Sequence, residues 1–264
     1  MKLPKISQSL MKNYVDYLNG KECGLFFKAN YIDKDPEAQR PPSDAMKIGI
    51  YFEYLCTGAL PRNGVIPEPE MVYKGKPNEK PSSAYEKAIE SASVFKRIIT
   101  HYNIKIKNIG LKLEHEGKNG IIDIHAEWDG KDVLIDLKYS GLIDDKWSDM
   151  GWDLESLHMK DSLMIQGVHY KLLAEKCMGI KDIPFYYFVF SSTDPNNVKI
   201  IKQEVDESKM ASHIVAIQNI SQKLSDNIQY GFNPMPSMAK CSKCPIAHKC
   251  DSAVDYPLID EIFY

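Results

Sequence analysis

The chain has 264 residues, 44% hydrophobic and 26% charged, and its 33 basic and 36 acidic side chains give a formal net charge of −3. That length and apolar content support a sizeable core and exclude a disordered chain. The slightly acidic balance excludes a generally basic nucleic-acid coat, so any DNA binding must rest on local positive charge. Neither an apolar signal segment after Met1-Lys2 nor an apolar run of roughly 18 residues is present, so a soluble, cytoplasmic chain with no membrane contact is expected.

Leu10, Tyr14 and Leu18 recur every four residues and predict an amphipathic helix from Ser7, with Ser7 or Ser9 as cap. Residues 33–44 carry Pro36, Pro41 and Pro42 and read as a loop ending at a cap, Ser43 or Asp44. A helix follows over Ala45–Cys56, stopped by Gly58. It sets Gly49 and Glu53 on one side, and Gly49 permits close approach to the backbone. Five prolines between 60 and 82 argue against a long regular element there. Ser82 is placed to cap a helix to about Tyr102, with Ala88, Ala92, Phe95 and Ile99 on a common face, and a strand near Ile104–Leu113 leads into the centre of the chain.

Residues 117–140 read as a β-hairpin turning at Asp129-Gly130. Alternation sends Asp136 and Lys138 to one face and Ile135 and Leu137 to the other, and the pairing brings Asp123 near Asp136. Charges in such apolar strands are costly unless paired or bound to a metal, and a hard cation such as Mg²⁺ suits carboxylate oxygens. A plain hairpin with a solvated polar side, Asp136 and Lys138 forming a surface pair, is the other reading of the spacing. Residues 144–160 read as a loop or broken helix. Asp161 is placed to cap a helix to about Cys177, with Gln166 and Tyr170 sharing a face and His169 off it. The apolar run 184–190 suits a strand covered on both faces, 198–205 an edge partner, and Asp206 or Ser208 opens a long helix to about Tyr230. Together these elements indicate an α/β domain around a mixed sheet.

Cys241, Cys244 and Cys250 stand at CxxC and Cx5C spacings able to grip one metal centre, with Cys23 as a fourth ligand from the far end of the chain. Cys56 and Cys177 lack such spacing and read as buried packing residues.

Gly120-Ile121-Ile122-Asp123, then thirteen positions later Asp136-Leu137-Lys138, resembles the core of the PD-(D/E)XK nuclease superfamily, and Gln166 to Tyr170 is similar to the QxxxY motif of its RecB-like branch. The resemblance implies a restriction-endonuclease-like α/β core with a mixed central sheet flanked by helices. It further implies Mg²⁺ or Mn²⁺ held by Asp123, Asp136 and the Leu137 carbonyl, water oriented or activated by Lys138, and Gln166 and Tyr170 reaching the substrate phosphate or steadying Lys138. Members often place a histidine ligand on the helix corresponding to 45–56. Here Phe52 stands near that place, and Glu53 is the candidate to take the role or bind a second cation through water. The CxxCPx5C pattern with an N-terminal cysteine resembles the iron-sulfur RecB-like nucleases, CRISPR-associated exonucleases included. That implies a 4Fe-4S cluster on Cys23, Cys241, Cys244 and Cys250 joining the chain ends, with Zn²⁺ on the same thiolates, or on three with His248, as the alternative. The organisation expected is a single domain over 1–264, with its nuclease core at about 44–205 and cluster-binding ends at about 1–30 and 231–264. The function implied is a deoxyribonuclease hydrolysing phosphodiesters, an exonuclease on single-stranded DNA ends, acting in recombination, phage replication or CRISPR adaptation with proteins of those systems as partners. A DNA-binding or complex-forming module with a weakened nuclease site is the second reading.

Overall fold

The structure, a computed structural model, describes residues 3–39, 41–61, 64–73, 76–77, 80–155 and 161–255. Parts of the segments expected at 60–82, 144–160 and 231–264, and the side chain of Asp161, lie outside the described residues. The elements in chain order begin with α1 (Gln8–Leu18), α2 (Gly24–Phe27), α3 (Asp44–Thr57), β1 (Val72–Tyr73), β2 (Lys76–Pro77) and α4 (Ser83–His101). They continue through β3 (Lys105–His115), β4 (Lys118–Trp128), β5 (Lys131–Ser140), α5 (Asp161–Met178), β6 (Phe185–Ser191), β7 (Val198–Gln203), α6 (Glu207–Tyr230) and α7 (Met238–Cys241). The chain divides into two compact units, Pro42–His213 and Met1–Pro41 with Ile214–Tyr264.

The larger unit is built on a five-stranded sheet in the order β3-β4-β5-β6-β7, antiparallel throughout except between β5 and β6, which run parallel. Turn chemistry sets its antiparallel part. Asp129 and Gly130 both have positive φ, the conformation that lets a two-residue turn match strand twist, and Glu116-Gly117 does the same between β3 and β4. The β5–β6 connection runs through α5, because parallel neighbours need a crossover. Helix starts follow capping residues: the Ser43 hydroxyl accepts from Met46 N–H, and the Asp206 carboxylate accepts from Lys209 N–H at 2.7 Å. Ser82 stands at the N-cap of α4, but its side chain makes no capping bond.

Each face of the sheet buries a layer. Tyr51 and Phe52 of α3 with Ala88, Ala92 and Phe95 of α4 cover Ile124, Ala126, Val133, Ile135, Leu137, Phe188 and Phe190. Tyr170, Leu173 and Ala174 of α5 cover Ile122, Leu134, Phe185, Tyr187 and Val189 on the other. The alternation of β6 between these two layers is the physical meaning of its unbroken apolar run. Burial at about 1.5–3 kcal/mol per large side chain makes this sandwich the main stabilising feature of the unit.

In the smaller unit, Tyr14, Tyr17, Phe27 and Phe232 form an aromatic cluster with ring centroids 5.3–6.1 Å apart. The Ser7 hydroxyl caps α1 by accepting from Leu10 N–H, and Tyr14 Oη donates to Asn227 Oδ1 at 2.5 Å. Local features of this unit not read from the sequence include α2, the single wider turn over Lys28–Ile32 that continues it, and α7.

Candidate active site

Asp123 sits where β4 parts from β5. The pairing of the two strands runs from Trp128 opposite Lys131 to Ile124 opposite Ile135. One step further, Leu137 N–H donates to the Asp123 carboxylate at 2.8 Å. Ile122 packs in the layer under α5, whereas Ile124 packs in the layer under α3 and α4. Two positions apart should mean the same face, so the side-chain alternation breaks at Asp123. On β3, between the partners of Ile122 and Ile124, Gly110 has φ +60°, a left-handed conformation in which glycine is unstrained.

Asp136 lies on the central strand and is 1% exposed. Its Oδ1 accepts from Gln166 Nε2 at 2.5 Å, and that amide nitrogen also reaches Tyr170 Oη at 3.3 Å. Its Oδ2 lies 2.6 Å from Lys138 Nζ, in an ion pair with that ammonium. Gln166, held by Tyr170, therefore steadies Asp136, a partner that the spacing alone does not reveal. Gly120 is the reason that Tyr170 fits: a Cβ there would stand 2.8 Å from the tyrosine ring and 2.9 Å from Leu173.

The electrostatics is that of a cluster short of positive charge. Burial, then the charges of Asp136 and Glu53, hold the Asp123 carboxyl well above the usual range, against the opposing pull of Lys138 and Leu137 N–H. Asp136 is also raised, by burial, and Lys138 opposes it. Burial alone would favour a neutral Lys138, but Asp136, Asp123 and Glu53 outweigh it and raise the amine above its ordinary value. Glu53 is exposed on α3, and its field reaches both Asp123 and Lys138. The structure thus brings together Asp123, Asp136, Lys138, Glu53, Gln166 and Tyr170. Sequence reasoning missed Tyr187, fully buried and paired with Asp136 across the parallel ladder; its phenol is raised by burial and by that carboxylate. No local signal marks such a neighbour, because strand register is a tertiary property. His169 is buried against His213 at 3.1 Å and the Asn119 carbonyl at 3.0 Å, a structural arrangement off the cluster.

In the smaller unit, Cys23, Cys241, Cys244 and Cys250 line one cavity of about 410 Å³. Cys23 Sγ accepts from Met235 N–H at 3.4 Å. Burial raises the Cys244 thiol, and the three other cysteines raise it further. His248 does not line the cavity and pairs with Glu37 at 3.0 Å. Among the described residues, no group of three or more His, Cys, Asp or Glu is arranged to hold a single metal ion. The other two thiols differ from each other: Cys56 packs beside the α3–α4 layer as expected, whereas Cys177 is exposed on the last turn of α5, its thiol donating to the Glu114 carbonyl.

No protein-family model and no curated protein matches the chain. Among solved structures, the crystal structure of a Eubacterium rectale protein named "Putative exonuclease" matches with TM-score 0.67 at 17% identity, covering 97% of this chain and 91% of that one. The likeness defines the class of the fold, a mixed five-stranded sheet flanked by helices, and extends over nearly the whole chain. The structure of SSO0001 matches at 14% identity over 65% of this chain and 72% of that one with TM-score 0.31, too distant in shape to bear on the reading. Among the described residues, no helix is long and apolar enough to cross a membrane.

Proposed function

We propose that this chain is a divalent-cation-dependent nuclease that hydrolyses DNA phosphodiesters, with single-stranded ends as its substrate. The observation that carries the reading is the carboxylate excess on the central strands: Asp136, 1% exposed, and the half-buried Asp123 stand together with Lys138, whose ammonium lies 2.6 Å from Asp136 Oδ2, and Glu53 adds the field of a third acid. Acids gathered out of water in excess of their ammonium are costly unless a further cation joins them. The exonuclease name of the E. rectale protein supports phosphodiester hydrolysis, and the sequence resemblance supports DNA ends.

Asp123, Asp136 and the Leu137 carbonyl would hold Mg²⁺ or Mn²⁺, ions that take one or two carboxylates and keep waters for a phosphate, with Glu53 at the edge. When bound, the cation supplies charge that stabilises the phosphorane-like transition state and the leaving oxygen. Lys138, held as an ammonium by three acids, acts as a charge and a donor: it orients the attacking water and neutralises a phosphate oxygen. Gln166 fixes the rotamer of Asp136 through Oδ1, Tyr170 holds Gln166, and Oδ2, beside Lys138, would be the oxygen that the carboxylate shares with the cation.

End-labelled single- and double-stranded DNA with Mg²⁺ or Mn²⁺ tests the assignment. Asp136→Ala and Lys138→Ala are expected to lose about 10²–10³ in rate. Both variants cleaving like the parent would overturn it.

For the smaller unit we infer a 4Fe-4S cluster on Cys23, Cys241, Cys244 and Cys250. Four thiols line one cavity of about 410 Å³, and their CxxC and Cx5C spacings, which resemble those of the iron-sulfur nucleases, favour a cluster over one Zn²⁺. Anaerobically purified protein is expected to be brown, with broad visible absorption lost in Cys244→Ser. Colourless protein carrying one zinc per chain would refute the cluster.

A further inference from the structure

Most glycines of this chain have an internal reason. Gly58 ends α3 in a left-handed cap, Gly120 makes room for the Tyr170 ring, and Gly167 makes room for Gln203. Gly49 has none. It lies inside α3, away from either end, and a Cβ built on it meets no atom of the described residues within 4 Å. Glycine is the poorest helix former after proline, so this choice weakens α3 and gains nothing from packing inside the chain.

The surroundings of Gly49 point outward to the active site. Glu53 follows four residues later on the same face, and Asp123 and Lys138 feel its charge. Met46, three residues earlier, is 59% exposed, and Ile50 is half-buried beside it. The opposite side of the helix, with Tyr51 and Phe52, is the buried one. Geometry places this face beside the cluster as well: Phe52, next to Glu53, stacks on Tyr139, next to Lys138, with ring centroids 4.8 Å apart.

We propose that the Met46, Gly49 and Glu53 face of α3 is a wall of the substrate path. The nucleotide strand lies across the helix with a sugar or base against the bare backbone at Gly49 and the Met46 side chain. Gly49 is a specificity-determining residue under this reading, which rests on the nuclease assignment above. A side chain there leaves the fold intact and stands where the strand must pass. Met46 supplies an apolar contact that tolerates any base, because every base has a flat apolar face.

The test uses the full-length chain carrying Gly49→Ala or Gly49→Leu, thermal melting, and cleavage of a labelled single-stranded oligonucleotide with Mn²⁺. Both variants are expected to melt no lower than the parent. Gly49→Leu should raise KM about tenfold or more with kcat retained, and Gly49→Ala should raise it in the same direction by less. An unmoved KM in Gly49→Leu overturns the inference alone. So does a marked loss of melting temperature, which would mean that this face packs against the chain itself. A parent that cleaves no strand with either cation overturns the nuclease assignment, and this inference with it.

Discussion

Asp123→Asn separates a cation cradle from an ordinary buried pair. Asparagine keeps an oxygen for Leu137 N–H, the bond made at 2.8 Å, and removes one charge from a cluster of three acids and one lysine. Without a cation, the Asp123 carboxyl is held well above its ordinary range by burial and by Asp136 and Glu53. For an acid raised on folding, the folded state binds more protons than the unfolded one, so stability is lost as pH rises through the ordinary carboxylate range toward the folded value. Cation-free Asp123→Asn should therefore be no less stable than the parent at pH 7, and the difference should close as the pH falls below the ordinary carboxylate range. A cation that binds only the folded state reverses the order: at a hundredfold excess over Kd it adds about 2.7 kcal/mol. For a chain of this size that corresponds to a rise in Tm of about 5–10 °C in the parent and little in the variant. Scanning calorimetry with chelator and with Mg²⁺ or Mn²⁺ measures both effects. A variant that melts lower without cation, or that keeps the parent's cation-dependent rise, would refute the reasoning.

Gly120→Ala sets a methyl 2.8 Å from the Tyr170 ring and 2.9 Å from Leu173. Overpacking of this kind should cost about 1–3 kcal/mol in urea unfolding and loosen the Gln166 hold on Asp136, lowering the cleavage rate; an unchanged denaturation midpoint would contradict it. Burial and the neighbouring His169 hold the His213 imidazole down from 6.5 to about 4. A base depressed on folding contributes full stability above its ordinary value and loses it as pH falls toward the folded one, here over a span worth about 3 kcal/mol. Urea midpoints at pH 7.5 and near pH 4 should show that fall, reduced in His213→Gln, which keeps a donor toward His169; an equal fall in both proteins would count against it.

The part of the site that follows from strand periodicity was legible in the sequence. Asp136 and Lys138 share a face, the turn falls at Asp129-Gly130, and Ile135 and Leu137 enter the opposite layer. Each depends only on neighbours in the chain. The break in alternation at Asp123 was not legible, because it depends on where β4 separates from β5 and on the left-handed Gly110 of a third strand. For the same reason the spacing of Gln166 and Tyr170 gave their common helix face but not the carboxylate they serve. The buried His169–His213 pair joins residues 44 positions apart, beyond the reach of any local pattern. Cys177 shows the limit of composition: a cysteine without metal spacing reads as a packing residue, but its place on the last turn of α5 leaves it exposed.

The smaller unit draws on both ends of the chain, and this orders events at the ribosome. Cys23 leaves the exit tunnel long before Met235, whose amide its sulfur receives across 212 positions. At about 5–20 residues per second that interval is roughly 10–40 s, long enough for the segments between to collapse on their own layers. The wall of four thiols is therefore complete only after residues 241–250 have followed Met235 out, so any group needing all four would enter only once those layers have formed.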